Sequence, residues 1–104
     1  MKYLAVIAAI AAFGVVPSQA QTGDAEAGHS YAKAVCAACH AIEKTSVLSP
    51  DPEAPPFADI ARSEGITGAA LAVILQTPHR HMPDFTIPPK ERADVIAYIL
   101  TLQP

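Results

Sequence analysis

An all-α domain is the fold class this 104-residue sequence predicts, and three observations carry the prediction. No stretch shows the apolar–polar alternation of a half-buried strand. Several segments instead place apolar residues at helical spacing, bounded by Asp, Thr, Pro and Gly where helices start and stop. Finally, Cys36-Ala37-Ala38-Cys39-His40 is the Cys-x-x-Cys-His signature of c-type haem attachment. One covalently attached haem gives a short chain a large apolar body for helices to wrap around.

The motif explains itself chemically. Two thiols add across the two vinyl groups of haem as thioethers, and one helical turn presents both sulfurs to one porphyrin edge. His40 follows at once and can turn its imidazole onto the iron as proximal ligand. The two intervening alanines do not crowd the ring. A dithiol redox motif would want a preceding strand and a βαβ pattern. Zinc would want four ligands, and the sequence has no third cysteine, while His79 and His81 are only two apart. A disulfide across two residues would be strained and would ignore His40.

Residues 1–20 read as a secretory signal peptide. Lys2 supplies the positive start, Leu4–Val16 is an apolar run of 13 residues, and Ser18-Gln19-Ala20 follows Pro17 as a small-x-small cleavage site. The run is too short to span a bilayer comfortably. Residues 21–104 are then one 84-residue domain. Only Lys2 among the charged residues lies in the leader, so the formal charge moves from −3 to −4. That balance argues against nucleic acid or an anionic membrane as the main partner. The apolar share falls to about 45%, ordinary for a globular domain.

The first helix starts at Asp24 or Thr22 as cap and runs to about Val35, with Asp24 and Glu26 favourable at its N-terminal dipole. Gly28 and Ala32 share one face, which either admits a second helix closely or marks a plain alanine-rich helix. His29 reads as a solvated residue of this helix. Ala41–Ala54 is rich in Pro, Ser, Asp and Glu and reads as a loop around the haem rim. Ala54-Pro55-Pro56-Phe57 leads into a short helical turn, Ala58–Arg62. A proline here can hold its carbonyl against the N–H of His40, fixing the imidazole and raising its basicity; Pro55 is preferred over Pro56. Phe57 reads as a core contact against the porphyrin. Gly65 ends the turn, and Thr67 caps a helix from Gly68 to about Gln76 with Leu71, Ile74 and Leu75 as its apolar stripe. Pro78 stops it.

His79-Arg80-His81-Met82-Pro83-Asp84-Phe85 then offers the second axial ligand. Met82 is the sole methionine after the leader and lies 42 residues beyond His40, ample chain to reach the other haem face. A thioether suits low-spin haem iron and raises its potential relative to two imidazoles. Pro83 would stiffen the loop. His79 and His81 are the alternatives, in a bis-His centre or on displacement of Met82. The last helix runs from Pro89, well suited to a first helical position, to about Leu102. Ala93, Ile96, Ala97 and Leu100 follow the i, i+3, i+4, i+7 pattern, with Tyr98 on a neighbouring flank.

With these landmarks in place the sequence resembles the class I cytochromes c, the small soluble His/Met haem carriers. The resemblance covers essentially all of residues 21–104. It rests on Gly28 eight residues before the first cysteine, Cys36–His40, Ala54-Pro55-Pro56-Phe57, Met82-Pro83-Asp84-Phe85, and Glu91-Arg92-Ala93-Asp94-Val95-Ile96-Ala97-Tyr98. It implies the small cytochrome c fold, with N- and C-terminal helices packed crosswise and Gly28 facing Tyr98. It also favours Pro55 as the proline that buttresses the haem histidine. Ala32 departs from the aromatic that many members carry there; Tyr31 can compensate.

The expected function is one-electron Fe(III)/Fe(II) transfer in a bacterial periplasm, by a monomer rather than an enzyme. It would meet redox proteins in small, transient interfaces and insert in no membrane after loss of the leader. With His40 and Met82 both on iron there is no open site for substrate. The alternative is a gas or ligand sensor, or a weak peroxidase, with a displaceable sixth ligand. A metal protein without haem is a third reading. Lys33, Lys44, Arg80, Lys90 and Arg92 read as solvated cations without a defined docking patch.

Overall fold

The computed structural model describes residues 12–14, 23–79, 81–83 and 86–104. Most of the leader, its cleavage site, the Thr22 cap, Arg80, Asp84 and Phe85 lie outside the described residues. Four helices follow in order: α1 (Ala25–Val35), α2 (Phe57–Arg62), α3 (Gly68–Ile74) and α4 (Pro89–Thr101). No strand occurs among the described residues, and no helix among them is long and apolar enough to cross a membrane.

The caps explain where the helices begin. Asp24 Oδ1 accepts from Glu26 N–H at 2.9 Å and Ala27 N–H at 3.2 Å, satisfying two of the free donors of α1. Thr67 Oγ1 does the same for Ala70 N–H at 3.1 Å. Pro89 opens α4, where its missing N–H costs nothing. Gly65 turns the chain between α2 and α3 with φ +76°, a conformation glycine adopts without a Cβ clash.

The principal packing is α1 on α4. A Cβ on Gly28 would lie 1.9 Å from the Asp94 carbonyl oxygen, and one on Gly23 would lie 1.9 Å from that of Ala93. Gly23, just before α1, and Gly28, within it, thus meet neighbouring residues of α4, as a crossing gives and a side-by-side alignment does not. Gly28 therefore faces the Asp94–Val95 backbone, about one turn before the expected Tyr98. Tyr98 instead donates its hydroxyl to Ile42 O at 2.7 Å. That bond ties α4 to the segment after the Cys-x-x-Cys-His motif.

The buried face of α4 also differs from the sequence pattern. Val95, Tyr98, Ile99 and Leu102 are buried, while Ile96 and Leu100 pack partly buried beside them. Two overlapping helical stripes exist in this sequence. The larger side chains take the enclosed face because α4 is covered by α1 and α3 and also lines the central cleft. Elsewhere α2 starts at Phe57, one residue early, and α3 stops at Ile74.

Asp94 is the one buried charged residue among those described, at 4% exposure. Its Oδ1 accepts from Asp24 N–H at 2.8 Å and its Oδ2 from Lys90 Nζ at 2.7 Å. The Lys90 hydrogen bond, then that of Asp24, holds its carboxyl below the ordinary carboxylate range.

Candidate haem site

The end of α1 delivers the haem-attachment motif. Cys36 caps the helix, its N–H donating to Ala32 O at 2.8 Å. Its own carbonyl accepts from Cys39 N–H at 3.1 Å and His40 N–H at 2.9 Å. This tight turn brings both sulfurs and the imidazole to one cleft. The thiols are free and half-buried. Burial pushes the Cys36 thiol up to about 11, so it stays protonated at neutral pH.

His40 Nδ1–H donates to Pro55 O at 2.7 Å. The carbonyl has no proton to give, so Nδ1 carries the hydrogen and the Nε2 lone pair is available. Pro56 is engaged differently: its carbonyl accepts from Asp59 and Ile60 N–H at the start of α2. Phe57 is buried, its ring centroid 5.4 Å from that of His40 and 6.5 Å from that of Tyr98. Its N–H donates to Ala41 O at 2.8 Å, which holds the start of α2 beside the motif.

The cleft holds about 1080 Å³ of empty space, open solvent included. Leu71 and Ile74 of α3, Leu75 just after it, and Val95 and Ile99 of α4 form its apolar wall. Leu71 and Val95 are 1% and 0% exposed, so the wall is also the core. Met82 lines the same cleft, as do His79, His81 and Pro83. The structure thus brings together Cys36, Cys39, His40, Pro55, Phe57 and Met82, and adds Asp51 and Glu53 at the rim.

Over residues 23–99 the chain matches the family model described as cytochrome c oxidase, cbb3-type, subunit III. It is also 36% identical over 87 residues to cytochrome c-552 of Bradyrhizobium diazoefficiens, covering 84% of this chain and 83% of that protein. The chain belongs to the class I c-type cytochromes. No solved structure matches it.

This cytochrome carries covalently bound haem c with its iron, and its chemistry is haem-based electron transfer. The residues present fit that group. The cleft is large and apolar, its two thiols are free of any disulfide, and one imidazole turns its unprotonated nitrogen away from a carbonyl partner. Among the described residues no three His, Cys, Asp or Glu side chains gather as a metal cluster. A haem iron needs no such cluster, because the porphyrin fills four of its positions.

Two features of the cytochrome had no signal in residue spacing. His29 is not simply solvated: its Nε2 lies 2.6 Å from Glu43 Oε1, and its ring sits 4.8 Å from that of Tyr98. Burial first, and the Glu43 carboxylate second, push the Tyr98 hydroxyl above its ordinary value. The second feature is Glu53, whose Oε2 lies 2.6 Å from His81 Nε2. Each pairing joins segments whose approach depends on the folded path of the chain.

Proposed function

We propose that this cytochrome is a freely diffusing periplasmic one-electron carrier, with thioethers from Cys36 and Cys39 and with His40 and Met82 as axial ligands. The observation that carries the reading is a single apolar cleft lined by all four of these residues, with His40 oriented by Pro55 O. When bound, the haem supplies a reversible Fe(III)/Fe(II) couple. The protein's part is to hold and tune it. The Pro55 carbonyl fixes the His40 ring and raises its basicity. The Met82 thioether favours the ferrous state. Leu71, Val95 and Ile99 exclude water from the cleft, and Phe57 packs beside His40.

Electron transfer then needs no proton donor, nucleophile or open coordination position, so the protein is read as a carrier and not an enzyme. Residues 1–20, with Lys2, the apolar run and Ser18-Gln19-Ala20, support export and cleavage. A monomer meeting redox proteins in brief contacts suits this role. The oxidase named by the matching family model makes a terminal oxidase a sensible electron acceptor to assay first.

One observation favours a second reading. His79 and His81 line the same cleft as Met82, so either can take its place in a bis-His centre; a sensor or weak peroxidase instead needs the sixth position open or its ligand readily displaced. Absorption spectra of the oxidised and reduced holoprotein separate the two. A low-spin ferric spectrum with the weak methionine-to-iron charge-transfer band, lost in Met82→Ala, is the expected result. A low-spin spectrum lacking that band assigns the position to a histidine. A high-spin spectrum that shifts with carbon monoxide or cyanide moves the function to ligand binding.

A further inference from the structure

The described residues of the turn that carries Met82 make few hydrogen bonds. Met82 N–H donates to His79 O at 3.2 Å, and His79 Nδ1 lies 2.9 Å from Thr77 O. Within this turn His81 has φ 62°. A side chain adopts that left-handed conformation at a cost, and the conformation persists only where surroundings hold it. Among the described residues, the contact that can hold it is Glu53, whose Oε2 lies 2.6 Å from His81 Nε2.

Glu53, in contrast, stands on a rigid base. Its N–H donates to Asp51 Oδ1 at 2.9 Å. Ala54 N–H donates to Asp51 O at 3.1 Å, and Asp51 N–H donates to Cys39 O at 3.1 Å. Two residues later Pro55 O receives the His40 Nδ1–H. The segment is thus tied to the haem-attachment motif at both Cys39 and His40. Glu53, His81 and Met82 all line one cleft, so the contact bridges the rim tied to the attachment motif and the rim that carries Met82.

We infer that Glu53 is a positioning residue for Met82. By holding His81 it keeps the Met82 turn closed over the cleft and slows replacement of the Met82 sulfur by an outside ligand. The inference rests on Met82 being an iron ligand, as proposed above. Both side chains are more than half exposed, at 58% for His81 and 61% for Glu53. The contact therefore adds little to global stability, and its effect is confined to the loop.

The test is imidazole binding to the ferric holoprotein at one fixed pH, followed through loss of the charge-transfer band. Four proteins are compared: wild type, Glu53→Ala, His81→Asn and the double variant. Asn tolerates the left-handed conformation but is too short to keep the same contact. Glu53→Ala is expected to speed imidazole binding about two- to fivefold, the range an exposed pair supports. Its denaturation midpoint stays that of wild type, and in the His81→Asn background it adds nothing further. No change in Glu53→Ala overturns the inference, as does an equal change in both backgrounds. A wild-type protein without the band overturns Met82 ligation itself, which keeps the two failures distinct.

Discussion

The two sides of the haem cleft are held in different ways. On the His40 side, the motif turn, the 51–55 segment and the start of α2 are linked by short hydrogen bonds, among them Asp51 to Cys39, His40 to Pro55 and Phe57 to Ala41. Behind them lie Tyr98 and the crossing of α1 and α4. On the Met82 side, a turn in which the described residues make one backbone hydrogen bond lies between α3 and α4 and reaches across to Glu53. The difference teaches that attachment and tuning are separable here. The side that carries the attachment motif belongs to the folding core, and the side proposed to supply the sixth ligand is a loop whose changes need not unfold the protein.

The strongest way to break the first side is Gly28→Leu. Its Cβ would overlap the α4 backbone at Asp94, and backbone cannot swing aside as a side-chain tip can. The expected loss exceeds about 3 kcal/mol, the upper end of ordinary overpacking, and far-UV circular dichroism should show little folded protein. Leu71→Ala comes next, at about 2–5 kcal/mol in a urea titration. Leu71 is both core and cleft wall, so the variant should also shift the haem absorption.

Tyr98→Phe keeps the ring and removes the donor to Ile42 O. An unpartnered buried carbonyl costs about 1–3 kcal/mol, readable as a lower denaturation midpoint with the haem absorption unchanged. Acid probes the same crossing. The Asp94 carboxyl is held below its ordinary value of 3.8, so its contribution is complete above that value and disappears as pH falls through the depressed folded value. Asp94→Asn should flatten the acid limb of the stability profile between those two values. A profile identical to wild type would remove Asp94 from the account.

The smallest stability effect is expected on the other side of the cleft. Pro83→Ala, at an exposed loop position, should change the denaturation midpoint by no more than about 0.5 kcal/mol. It should still raise the rate of imidazole binding to the ferric protein, because the loop loses a fixed φ. A large stability loss in Pro83→Ala would erase the contrast between the two sides.

The particular residues show which features could be read early. Cys36–His40 was legible because its chemistry fits within one helical turn. Asp24 and Thr67 were legible as caps because a capping side chain bonds two or three residues away. The buried face of α4 was misread because Ala93, Ile96, Ala97 and Leu100 satisfy the same helical spacing as Val95, Tyr98, Ile99 and Leu102. Periodicity identifies a helix but does not choose between two stripes when neighbours cover it on several sides.

By itself, then, the sequence determined the all-α class, the covalent haem motif, the helix starts and the candidate residues for both axial positions. Those are properties of local spacing and side-chain chemistry. Only the tertiary structure decided that Gly28 meets Asp94 and Val95, that Tyr98 reaches Ile42, that His29 pairs with Glu43 and that Glu53 meets His81. Each of these contacts forms where separate segments of the chain arrive at the same place. Their positions follow from how the helices pack around the cleft, and that packing minimises the energy of the whole molecule rather than of any one segment.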